Sequence, residues 1–331
     1  MLWLLNFVLV AVPIGTTAGV LVGLQAQRDA NGQEPLFGDQ PGFGGGAGGG
    51  AGGGSGPPRT TRIDVDMYCD TSIGISPPSV GDHYTFNPNP WGWEEGEEGR
   101  ICMNITTFRN ETYATTTSAP EWSVSWSYPP GPESAPVHAF PNVKVDNQVF
   151  PARIQDIDRI DLDFEWTYVL GNDTSATTST SEAELDEHSV NANVALDIFI
   201  DSDRERSQNS SAASAEIMVW FAAFGPATQP IGLIEGSLAN LTVNGTEFSL
   251  YNGENSLGQK VHTWMSAEPA ERFHGDLFVL VDHLMEMDNE DFPNRSDYIG
   301  YLSLGTEAYF SEDVVTFHVP ELAIDVQLLD N

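Results

Sequence analysis

From residue 63 onward, apolar and polar positions alternate in short stretches broken by Gly, Pro, Asn and Asp. A period of two predicts strands, because successive side chains of an extended chain point to opposite faces. Ile63, Val65 and Met67 form one such row; Ile160, Leu162, Phe164, Trp166 and Tyr168 form another; Val190, Ala192, Val194, Leu196, Ile198 and Ile200 form a third. In the third stretch Asp197 lies on the face opposite the aliphatic row. Two further stretches each carry one glutamate among apolar residues. Glu216, Met218 and Trp220 share a face, while Ile217, Val219 and Phe221 make the other face ordinary core. By the same count Tyr301, Ser303, Gly305 and Glu307 lie together on one strand. If the strands of Asp197 and Glu216 are neighbours with their aliphatic rows turned inward, the two carboxylates point the same way. Trp122, Trp126 and Tyr128 also alternate and could floor a cleft. Residues 276–287 break the pattern: Leu277, Leu280, Val281, Leu284 and Met285 recur at helical spacing, which predicts one helix on an otherwise all-β domain.

The N-terminal region reads differently. Residues 2–24 carry no charge and suit either a cleaved signal peptide, with small residues at Thr16, Thr17 and Ala18, or a single membrane anchor. A Gly/Ala/Ser run over 42–58 then reads as flexible coil. The chain is therefore divided into a signal or anchor (1–27), a Gly-rich linker (28–60) and one catalytic domain (61–331). A domain of that size is ordinary for a single all-β unit.

A formal net charge of -35 excludes a groove that tracks nucleic-acid phosphates and leaves neutral polymers as the easier partner. Seven Asn-x-Ser/Thr sites, at Asn104, Asn110, Asn172, Asn209, Asn240, Asn244 and Asn294, point to a glycosylated secretory protein. In an oxidising compartment the two cysteines, Cys69 and Cys102, are expected to pair, and closing that loop contributes about 3–4 kcal/mol in the chain-entropy model. The histidines show no ligand spacing, and the acidic run at Glu94, Glu95, Glu97 and Glu98 lacks that of a calcium loop, so neither metal nor cofactor is expected. The protein is expected to be extracellular, secreted or tethered by its N-terminal segment, and monomeric.

A carboxylate, a thioether and an indole on one strand face suit a saccharide groove, yet a lone strand glutamate is more often solvated than catalytic. Four ordered motifs add to that reading. Cys69-Asp70 is followed by Asn89-Pro90-Trp91-Gly92 and Cys102; then come Asn193-Val194-Ala195-Leu196-Asp197, the stretch from Glu216 to Gly232, and Gly305-Thr306-Glu307. Together they resemble glycoside hydrolase family 12, the fungal-type endoglucanases and xyloglucanases, from about residue 64 to the C-terminus. The resemblance implies a β-jelly-roll sandwich of two antiparallel sheets with an open cleft and one packed helix. It implies a retaining endo-β-1,4-glucanase acting on cellulose chains, xyloglucan or mixed-linkage glucan. Glu216 would be the nucleophile and Glu307 the acid/base, with a pKa above that of Glu216. Asp197 would hydrogen-bond Glu216. Asn89 and Trp91 would bind sugar on the non-reducing side, and Met218 and Trp220 would wall the central subsite. Three places depart from the family's pattern: Ala308-Tyr309 stands where Pro-Phe is usual, Ala215 where Tyr often precedes the nucleophile, and Thr71-Ser72 where aromatic residues often follow the first cysteine. The competing reading is a non-catalytic carbohydrate-binding jelly roll, since fold does not fix function.

Overall fold

A computed structural model describes residues 63–77, 83–108, 113–132, 136–146, 148–172, 174, 179–287 and 289–329. The expected signal or anchor, the linker and Asn110 lie outside them. One sheet contains β1 (Ile63–Cys69), β3 (Arg100–Phe108), β4 (Glu121–Tyr128), β15 (Ala308–Leu328), β7 (Ile157–Leu170) and β13 (Arg272–Asp276), paired in that order and antiparallel throughout. The second contains β2 (Tyr84–Asn87), β5 (Asn142–Val145), β14 (Tyr298–Gly305), β8 (Asn191–Asp201), β9 (Ala215–Phe224), β12 (Lys260–Ser266), β11 (Thr246–Glu254) and β10 (Ala239–Val243), with β6 (Ala152–Arg153) also on β14. The expected two-layer β architecture is present, with two differences. The β9–β12 pair is parallel, so the second sheet is not wholly antiparallel. The layers are also stitched together by the 21-residue β15, whose start pairs with β8 and whose remainder pairs with β4 and β7.

The inward rows make the core. Phe164, Trp166 and Tyr168 of β7 meet Phe221 and Phe224 of β9 and Phe317 of β15, with ring centroids about 5.5–6.2 Å apart. Aromatic burial of this kind contributes roughly 1.5–3 kcal/mol per ring. Trp122, Trp126 and Tyr128 belong here too, each at most 1% exposed, and do not floor a cleft. Their strand lies in the first sheet, so the apolar face of β4 can turn only toward the interlayer core.

The predicted helix is present as α2 (Phe278–Glu286), burying Phe278, Leu280, Val281 and Leu284 and accepting the Trp264 indole N–H on the Leu280 carbonyl at 3.2 Å. A second helix, α1 (Glu182–Glu187), was not expected; six residues capped by Ser181 are too few to leave a period in the sequence. Cys69 and Cys102 sit directly opposite each other on β1 and β3 and are disulfide-bonded. Among the described residues no helix is long and apolar enough to cross a membrane.

Candidate active site

The outer face of the second sheet is built in rows, because residues paired across strands share a face. One row runs Gly305, Ala195, Trp220, Met265; the next Ser303, Asp197, Met218, Thr263; the third Tyr301, Phe199, Glu216, Val261. Strand neighbours lie about 4.8 Å apart, so Asp197 is beside Met218 and diagonal to Glu216. Phe140, Ala195, Met218, Trp220 and Val261 form an apolar cluster separate from the interlayer core. Strand parity thus places Glu216, Met218 and Trp220 on the groove face, as expected. Trp220 is only 2% exposed, so it supports the groove base more than it offers a broad stacking face.

Glu307 comes close to the same face from the segment that follows β14. It lies just beyond β14, not within a strand: Thr306 N–H donates to the Pro141 carbonyl at 3.1 Å and Ala308 N–H to the Ala139 carbonyl at 2.9 Å, lining the segment along 139–141. This close approach requires glycine at 305, where a Cβ would stand 2.1 Å from the Pro141 carbonyl oxygen. Asn193 then cradles the glutamate. Its Oδ1 accepts Glu307 N–H at 2.8 Å and its Nδ2 donates to Glu307 Oε2. Tyr309 Oη donates to the same Oε2 at 3.1 Å. Behind them a buried chain runs inward: Thr306 Oγ1 donates to the Asn193 carbonyl and lies 3.3 Å from Tyr168 Oη, which accepts Trp126 Nε1–H at 2.7 Å.

Three carboxyl groups therefore share one low-dielectric site. Burial pushes Glu216 up to about 8, and the nearby Glu307 charge adds to the rise. Burial pushes Glu307 up to about 7, while Tyr309 and Asn193 pull it down by stabilising the anion. Glu307 has these two donors, whereas no described donor reaches Glu216. Asp197 is 4% exposed and raised well above the carboxylate range, by burial first and then by the charges of Glu216 and Glu307. Asp197 Oδ1 is buried with no partner among the described residues, and no described hydrogen bond joins Asp197 to its diagonal neighbour Glu216. A half-buried carboxyl pair in which the charge of one raises the pKa of the other is suited to combined nucleophilic and acid–base work.

Trp91 is 59% exposed, as a sugar-stacking ring requires. Its loop is fastened to the segment beside Glu307, with Gly92 N–H donating to the His138 carbonyl at 2.8 Å and Phe140 N–H to the Asn89 carbonyl at 3.0 Å. Asn89 Nδ2 donates to the Phe140 carbonyl at 3.2 Å and so holds this loop. In the acidic run Glu97 accepts Glu94 N–H at 3.0 Å in a turn of its own, and no cluster of three or more His, Cys, Asp or Glu suited to a metal occurs among the described residues. Sequence reasoning missed Asn193, Tyr309 and Phe140. Asn193 carried a usable signal, since it stands four residues before Asp197 and so on the same strand face.

Residues 82–327 match the model of Glycosyl hydrolase family 12. The chain is 26% identical over 267 residues to a xyloglucan-specific endo-beta-1,4-glucanase A of Emericella nidulans, covering 81% of this chain and 92% of that one. It is 28% identical over 256 residues to the Aspergillus niger protein of the same name, covering 75% and 87%. Among solved structures, Trichoderma harzianum endoglucanase 3 superposes with a TM-score of 0.60 at 20% identity over 80% of this chain and 98% of that one. A family 12 xyloglucanase from Bacillus licheniformis gives 0.57 at 14% identity over 79% and 100%. The family match spans most of the chain, and the fold is shared with solved members, so this protein belongs to glycoside hydrolase family 12.

Proposed function

We propose that the protein is a retaining endo-β-1,4-glucanase of xyloglucanase type, with Glu216 as nucleophile and Glu307 as acid/base. The observation that carries this reading is the pair itself: Glu216 on the face of Met218 and Trp220, and Glu307 held by Asn193 and Tyr309 close enough for its charge to raise the pKa of Glu216. Retention requires carboxyls about 5–5.5 Å apart, one attacking the anomeric carbon while the other protonates the departing oxygen. The shared proton must then sit on Glu307. A sugar hydroxyl donating to Glu216, or a protonated Asp197 turning its free side toward it, supplies the donor that Glu216 lacks and keeps the proton on Glu307. The names of the curated relatives support xyloglucan as substrate. Trp91 stacks a sugar on the non-reducing arm.

The test joins a variant to stereochemistry. Glu216→Gln should fold and lose several orders of magnitude in turnover on xyloglucan and barley glucan. Wild-type enzyme should release the β-anomer first, read by proton NMR. A variant keeping more than a tenth of wild-type activity, or an initial α-anomer, overturns the assignment. A wild type that binds glucan without releasing reducing ends would favour the carbohydrate-binding reading.

The disulfide and the exposed sequons at Asn172, Asn209, Asn240, Asn244 and Asn294 support an extracellular, glycosylated enzyme, which we propose acts as a monomer with its domain (61–331) tethered through 1–27 and the linker 28–60. Asn104, half-buried in mid-strand, is the least accessible described site. Carbonate extraction should leave part of the enzyme in the membrane; complete solubility, with an N-terminus beyond Ala18, would remove the tether.

A further inference from the structure

Glu307 Oε2 is contacted by two donors, the Tyr309 phenol at 3.1 Å and the Asn193 carboxamide, whereas no described donor reaches Oε1. An oxygen that already accepts two hydrogen bonds is a poor place for a proton, since a neutral carboxyl carries it on the oxygen free to donate. We propose that Tyr309 is a positioning residue for Glu307: with Asn193 it occupies Oε2, fixes the transferable proton on Oε1 where the groove is open, and sets the alkaline edge of the working pH range. The proposal rests on the reading of Glu307 as acid/base.

The phenol is well placed for this. Tyr309 is 6% exposed, and its backbone carbonyl lies 2.9 Å from Nδ1 of His138, whose ring stacks on Tyr128 at 4.8 Å and 8°. The charged or titratable groups facing the site are Glu216 from β9 and Asp197 from β8, with Tyr168 behind Thr306; His138 touches only the Tyr309 backbone. Burial and the surrounding carboxylates hold the Tyr309 hydroxyl well above its usual value, so it remains a donor across the enzyme's range. The family pattern described above has phenylalanine at this place, so the side chain differs from that pattern by one hydroxyl group.

Removing that oxygen weakens only the states in which Glu307 is ionised. These are the doubly ionised pair and the unproductive form with the proton on Glu216. The working form, with the proton on Glu307, loses little. The alkaline limb of kcat/KM therefore moves up and the acid limb stays. A hydrogen bond to a carboxylate corresponds to a shift of about one pH unit, or about a tenfold gain in relative activity beyond the wild-type limb.

The experiment compares pH profiles on xyloglucan for wild type, Tyr309→Phe and Glu307→Gln, with carbon-13 titration of the glutamate carboxyls. Tyr309→Phe should raise the alkaline limb and the Glu307 titration together, with the acid limb fixed. A variant in which 3-fluorotyrosine replaces Tyr309 keeps the contact with a more acidic phenol and should move the same limb down; it also decides the matter if the phenylalanine variant does not fold. Limbs that stay put, or that shift together, while Glu307→Gln is inactive overturn the role of Tyr309 and leave the functional reading standing. An active Glu307→Gln enzyme overturns both.

Discussion

His262 is buried to 0% exposure in β12, edge-on to Phe292 at 4.8 Å, and burial pushes its pKa down to about 4. The sign of its contribution follows. The unfolded ring titrates near its ordinary value, so the unfolded state binds more protons between about pH 6.5 and pH 4, and the stability contribution present above that window is lost as pH falls through it. The loss is about 3 kcal/mol at the lower end. His262→Leu should therefore reduce the difference in urea midpoint between pH 7 and pH 4; an unchanged difference would assign acid sensitivity to the carboxylates instead. At the same scale, Glu216, Asp197 and Glu307 were legible because strand parity and motif order agree on them. Tyr309 was visible as a departure but not as a donor, because its partner is fixed by the way the chain re-enters the groove after Gly305.

Elements were legible where one face is apolar and one polar. That condition holds for β8 and α2, and in β9 the single Glu216 marks the second face. It fails for β4, whose aromatic row shows that one side is buried but not against which layer, and so Trp122, Trp126 and Tyr128 were misplaced. Pairing partners were less legible still. The register shift between β8 and β9 near Val194 puts both Phe221 and Ala222 in the core, a local change of face that alternation alone does not announce. The parallel β9–β12 pair depends on the whole of β10 and β11 intervening between the two strands. Neither is a local property of sequence.

Across the whole molecule the dominant fact is charge. Forty-eight acidic against 13 basic side chains give a self-repulsion that opposes compactness. Screening shortens its range from about 10 Å at 0.1 M salt to about 3 Å at 1 M. The unfolding midpoint at neutral pH should accordingly rise as sodium chloride is increased over this range; a flat or falling midpoint would mean that local ion pairs such as Arg272–Glu165 and Lys260–Asp291 outweigh the net repulsion.

The strand β15 links that whole to the chemistry. Glu307 immediately precedes it and most of its length lies in the first sheet, whereas Glu216 belongs wholly to the second. Glu307 is nevertheless fastened to the second sheet on both sides, through Asn193 of β8 and the 139–141 segment, so both carboxyls ride on one layer. Tyr168 of β7, packed between Phe224 and Phe317, still reaches that layer through Thr306, so a change in the interlayer rings would be felt one residue away from Glu307.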